Sequence, residues 1–180
     1  MERAAGNGLA RLTIVTPSVR AEQVSTHAPL TPVFIGLRIG LHGVFVALDA
    51  FVVAHAITAP GPRASWIIAL GLVLFVGYVS GAFVARSSSH AAIPVVWLAL
   101  LTIGALALLA LTPDATFLVF PLFFLQLHLL PFRWGIPAVI VTTALAVLGF
   151  AGHGGWTVGG TLGALIGATV AIVIGLGYRA

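Results

Sequence analysis

The sequence contains no lysine and no cysteine, and it carries only four acidic residues against eight arginines in 180 positions. Without cysteine there is no disulfide, no thiolate metal site and no thiol nucleophile. Charged residues make up 7% of the chain, where ordinary soluble domains carry roughly a quarter, so there is too little polar surface to meet water on every side. The arginines are dispersed along the chain, which excludes the basic patch that a nucleic-acid surface needs.

What the chain has in quantity is apolar: 60% of its residues are hydrophobic. A spanning helix takes about 20 apolar residues, so the length accommodates about six crossings with short turns and no second folded domain. Apolar stretches run at about Phe34–Thr58, Ser65–Ala85, Ile93–Leu111, Ala115–Leu130, Ile136–Ala151 and Gly159–Tyr178, each bounded by Pro, Gly or a charge. The predicted fold is all-α, a polytopic membrane bundle of about six transmembrane helices over residues 33–180. A disordered cytoplasmic tail over residues 1–32 precedes it, where Arg3, Arg11, Arg20, Glu2 and Glu22 stand among Ser, Thr, Gly and Pro.

The fourth and fifth stretches are short for a crossing. Both reach spanning length if Pro113, Pro131 and Pro137 sit at the membrane's edge; the alternative is a re-entrant hairpin over Ala115–Ala151. If every stretch crosses, Arg3, Arg11, Arg20, Arg86, Arg133 and Arg179 fall on one side and Arg63 alone on the other. The positive-inside rule then predicts a multi-pass protein of the plasma membrane with both termini in the cytoplasm. Ala54-His55-Ala56 matches the small-x-small pattern of a signal-peptidase site, but its apolar run is too long and its leader too extended for a signal peptide.

The first stretch holds Arg38, His42, Asp49 and His55, residues that lipid would penalise. At 100° per residue, Arg38, His42 and Asp49 fall within about 40° of one another, a single polar stripe. An ionised carboxylate at Asp49 costs on the order of 2.5–3.5 kcal/mol unless paired, protonated or hydrated. The stripe reads either as a proton- or ligand-responsive element or as a structural clamp, with Arg38 reaching back to the interface and His55 lying off the stripe at the outer end. Opposite runs a row of small residues, Gly36, Gly40, Gly43, Ala47, Ala50 and Ala54, which invites close helix approach and places this helix inside the bundle.

Gln126 and His128 lie on roughly opposite sides near the end of the fourth stretch, so one of them at most meets the stripe. Gly163, Gly167 and Ala171 lie on a small-residue face of the sixth stretch, a surface for packing within the bundle or between two copies. The six histidines are scattered in depth and side, which leaves no metal site, and no cofactor is implied. Gly152-His153-Gly154-Gly155 has no phosphate-loop lysine, and four acidic residues and no cysteine assemble no nucleophile, base and orienter.

The stretch Phe120–Ala138, FPLFFLQLHLLPFRWGIPA, and the closing VIGLGYRA of Val173–Ala180 resemble the N-terminal membrane region of actinobacterial two-component sensor histidine kinases. There a similar aromatic-rich helix ends in a Leu-Leu-Pro turn followed by a basic residue and tryptophan, here Leu129-Leu130-Pro131 and Arg133-Trp134. The likeness covers about Leu111–Ala180. It implies a sensing module without its kinase core, forming a homodimer that signals through its last helix to a cytoplasmic kinase core and response regulator. It transfers no catalytic residue, so no catalytic role is assigned in this chain. The competing expectations are a small transporter or channel subunit using His42 and Asp49, and an assembly subunit of a larger membrane complex; the missing internal repeat counts against a transporter. In each case the immediate partner is membrane lipid.

Overall fold

The computed structural model describes residues 30–87 and 92–177, and every regular element among them is helical. Helix α1 spans Leu30–Thr58, α2 Ala64–Ser87 and α3 Ala92–Leu111. A 3-10 segment, Pro113–Leu118, leads directly into α4, Val119–Leu129, and α5 (Phe132–Gly154) and α6 (Val158–Gly177) follow. The expected tail, apart from its last residues at the start of α1, lies outside the described residues, as do Tyr178, Arg179 and Ala180.

The turns are set by local chemistry. Thr58 Oγ1 donates to the carbonyls of Ala54 and His55 at the end of α1, ahead of Pro60 and Pro62. Thr112 and Leu130 are extended because each precedes a proline, whose ring excludes the helical conformation from its neighbour. These two breaks isolate α4. Gly155, at φ 86°, ends α5 in a conformation that a side chain would strain. Thr157 starts α6 by accepting the amide of Gly160 on its hydroxyl.

Five helices are long and apolar enough to cross a membrane, the makeup of a multi-pass membrane protein. The helix that is too short to do so alone, α4, occupies the middle. Val119, Pro121, Leu122, Phe123, Leu125, Gln126 and Leu127 are all buried, and α4 packs against α1, α3, α5 and α6. The first three helices pack in sequence, α1 on α2 and α2 on α3, while α5 closes against α3 and α6 packs only on α4 and α5 among the described elements.

Outward faces carry large apolar side chains such as Leu72, Val76, Leu100, Ile103, Ile140, Leu148 and Ile166, as a lipid-facing surface requires. The contact of α6 with the bundle uses small residues on its own side. Ala168 and Ala171 are buried, Gly167 lies under the ring of Phe120, and Gly175 lies under Leu127. The small row on α1 behaves otherwise. Gly40, Gly43, Ala47, Ala50 and Ala54 face outward, and nothing stands within 4 Å of a Cβ built on either glycine. The inward row is Phe45, Asp49, Val52 and Ala56; with α4 in the centre, α1 is peripheral and buries one face instead of two.

A Cβ at Gly175 would stand 2.9 Å from Leu127 Cδ1 and 3.3 Å from its Cβ, which the main chain holds in place, whereas Gly163 has open space. Gly175→Val therefore destabilises the bundle by about 1–3 kcal/mol through overpacking, and Gly163→Val leaves it within about 0.5 kcal/mol. Unfolding titrations in mixed micelles check the difference; equal effects at the two sites would contradict the packing of α6 on α4.

Candidate functional site

Three polar groups stand at successive levels along α1. At the level nearest its start, His42 Nδ1 and Tyr78 Oη of α2 share a hydrogen bond of 2.6 Å. Tyr78 stacks on Phe45, with ring centroids 3.9 Å apart and planes 10° from parallel, and its other neighbour is the ring of Trp97 on α3. Trp97 is itself fixed by its indole N–H, which donates to Gly77 O at 2.7 Å. His42, Phe45, Tyr78 and Trp97 thus form one layer across three helices.

Asp49 stands two turns further on. Its side chain is 2% exposed, and Oδ1 has no hydrogen-bond partner among the described residues. The main chain of α2 comes close here because position 71 is glycine: a Cβ there would collide with Val53 and would stand 3.6 Å from Asp49 Oδ1. A buried polar atom without a partner costs free energy, so an orphaned carboxylate oxygen inside an apolar bundle calls for a functional explanation.

At the far end of α1, His55 Nδ1 lies 2.5 Å from Asp114 Oδ2 in the 3-10 segment, and Thr112 Oγ1 donates to the same oxygen at 3.3 Å. This pair borders an open cleft of about 460 Å³ between α1, the α1–α2 turn, α2 and the end of α3. Val52, Ala56, Arg63 and Ile67 contribute to its lining.

A fourth polar group lies apart from these. Gln126 of α4 is buried and donates through Nε2 to Thr142 Oγ1 of α5 at 2.9 Å and to Thr102 Oγ1 of α3 at 3.3 Å, while its Oε1 is unpartnered. Gln126 therefore pins α3, α4 and α5 together and does not meet the α1 stripe. His128 is exposed at the end of α4. Arg38 and Gly36 belong to the first turns of α1, whose side chains lie outside the described residues.

The structure thus brings His42 and Asp49 to one side of α1, facing α2. Sequence reasoning missed the partners of the polar groups: Tyr78 and Trp97 in the His42 layer, Asp114 at His55, and Thr102 and Thr142 at Gln126. Polar side chains inside apolar stretches are the signal that singles out Tyr78 and Thr142, but their partners lie 36 and 16 residues away, beyond any local pattern. His55, read as merely interfacial, has a carboxylate partner 59 residues distant. Among the described residues no three His, Asp or Glu side chains are grouped to hold a metal ion. No family model, curated protein or solved structure matches this chain. Its chemistry must be read from these groups.

Tyr78→Phe keeps the ring stacked on Phe45 and removes only the bond to His42, at a cost of about 0.5–1.5 kcal/mol. Tyr78→Ala also empties the layer and costs about 3–5 kcal/mol. Both values follow from unfolding titrations in mixed micelles, and a Phe variant as damaged as the Ala variant would refute the division.

Proposed function

We propose that this chain is a membrane-embedded sensory and signal-transducing domain of the two-component histidine kinase type, sensing within the bilayer and passing a displacement of α6 to a cytoplasmic, dimeric kinase core and its response regulator. The observation that carries this reading is the attachment of α6. Among the described elements it packs on α4 and α5 alone, and it meets α4 where Phe120 sits over Gly167 and Leu127 over Gly175, so a shift of α4 is passed to α6 through two seated side chains. Helix α4 in turn touches α1, the helix that carries the polar groups. The resemblance over Leu111–Ala180 supports the same direction of output.

In this reading the chain crosses the plasma membrane six times with both termini cytoplasmic. The 3-10 segment and α4 together rise about 28 Å, close to the hydrocarbon thickness of about 30 Å, which supports a crossing by their combined length. The arginine distribution supports the orientation. The outward row Gly40, Gly43, Ala47, Ala50 and Ala54 offers a second copy a face for close approach.

A second reading, a small proton-coupled transporter or channel subunit, is favoured by one observation, the orphaned oxygen of Asp49. An in-frame fusion of a histidine-kinase core after Ala180 separates the two. If α6 is the output, insertion of one to four alanines at the junction changes autophosphorylation in liposomes with a helical period of about 3.6 residues. Activity that is flat across the series, with every chimera inserted and folded, would instead direct attention to proton flux.

A further inference from the structure

The cleft at the α1–α2 end and the buried carboxylate of Asp49 lie on one line. Val52 and Ile67 line the cleft. Asp49 is three residues before Val52 and Gly71 is four residues after Ile67, so each lies one turn deeper on the same helix face. Gly71 is the residue beside Asp49 Oδ1, which places the carboxylate directly beneath the floor of the cleft. Val52, 1% exposed, lines the cleft one turn above Asp49 on the same face of α1.

We infer that Asp49 is a proton-binding site of this protein, reached from the α1–α2 face of the membrane through the cleft lined by Ala56, His55, Arg63 and Asp114, with Val52 and Ile67 as its gate. The ligand is the proton itself. Among the described residues no second carboxylate, carbonyl or hydroxyl is bonded to Oδ1, whereas a metal cation would need several oxygen ligands. The proton passes from water in the cleft to Oδ1, turning a carboxylate into a neutral carboxylic acid whose burial in the bundle costs far less.

The other titratable groups around α1 have separate roles. On α1, His42 is bonded to Tyr78 of α2, and His55 is bonded to Asp114 of the 3-10 segment at the cleft mouth. Arg63, in the α1–α2 turn, lines the cleft, Arg86 lies in the last turn of α2, and the one titratable side chain of α4, His128, is exposed. On the opposite side of Asp49 stand the buried rings of Phe45 and Tyr78, whereas the cleft lies on the side of Val52. The site depends on the chain lying in a membrane and is independent of whether a kinase core follows.

The test uses the full chain alone in phospholipid vesicles, followed by infrared difference spectroscopy during exchange between acidic and alkaline buffers and between H2O and D2O. The wild-type chain is expected to show a protonated-carboxyl C=O band that grows on acidification and shifts in D2O. Asp49→Asn, which keeps the shape, loses that band while the remaining carboxyl signals persist. Val52→Ala keeps the band and speeds its deuterium exchange several-fold, because the floor of the cleft is thinned. This second variant leaves Asp49 in place and keeps the test decisive if Asp49→Asn misfolds. Identical spectra for the wild-type chain and Asp49→Asn, or an exchange rate unaffected by Val52→Ala, would overturn the inference. Neither result bears on the junction-insertion series, which reads α6.

Discussion

The burial of α4 on nearly every side is the constraint from which the rest of the packing follows. A helix surrounded by other helices must be apolar all round, and the run of Val119, Pro121, Leu122, Phe123, Leu125 and Leu127 satisfies that demand. Its one buried polar side chain, Gln126, must find partners inside, and Thr102 and Thr142 supply them from two different helices. Lipid is as apolar as leucine, so association of the remaining helices with this centre draws on close packing and not on the hydrophobic effect. That is why the seats beneath Phe120 and Leu127 are glycines. It is also why so many large apolar side chains point away from the core.

With the centre filled, α1 and α2 become a peripheral pair, and His42, Asp49 and Tyr78 fall at their mutual contact. His42 and Tyr78 satisfy one another, and His55 is satisfied by Asp114. Asp49 sits between these two levels with an unpartnered oxygen. Relief by protonation is local, whereas relief by a hydrogen bond would require α1 or α2 to move. The second response changes the α1–α2 contact, and α1 also touches α4. A change at Asp49 thus has a packed route to the helix on which α6 rests.

Much of this was legible in the sequence, for a simple reason. In lipid the backbone must satisfy its own hydrogen bonds, so long apolar runs become helices wherever proline and glycine permit. The prolines at 113 and 131 marked the isolation of the fourth helix. Its opening turns as a 3-10 segment, and its central place, were not marked, because a fully apolar helix has no face that betrays its neighbours. The same holds for the small row on α1: glycine and alanine permit close approach without requiring it, and only the competition for the centre decided that Gly40 and Gly43 face outward. The polar stripe of His42 and Asp49 was visible from helical periodicity. Tyr78 and Asp114 were not, since they are joined to α1 by tertiary structure alone.

The two faces of Asp49 differ in a way that bears on its use. Towards the cleft stands Val52 of α1, an apolar side chain that makes no hydrogen bond and needs only a rotamer change or a small helix shift to admit water. Towards the other side stand four side chains from three helices, held by the His42–Tyr78 bond, the stacking of Phe45 on Tyr78, and the Trp97 bond to Gly77. These contacts tie α1, α2 and α3 together at that level. A transporter must expose its site to each side in turn, whereas a sensor needs exchange with one side and a mechanical consequence on the other. A proton site reached through the cleft alone, as inferred for Asp49, fits the second requirement better than the first.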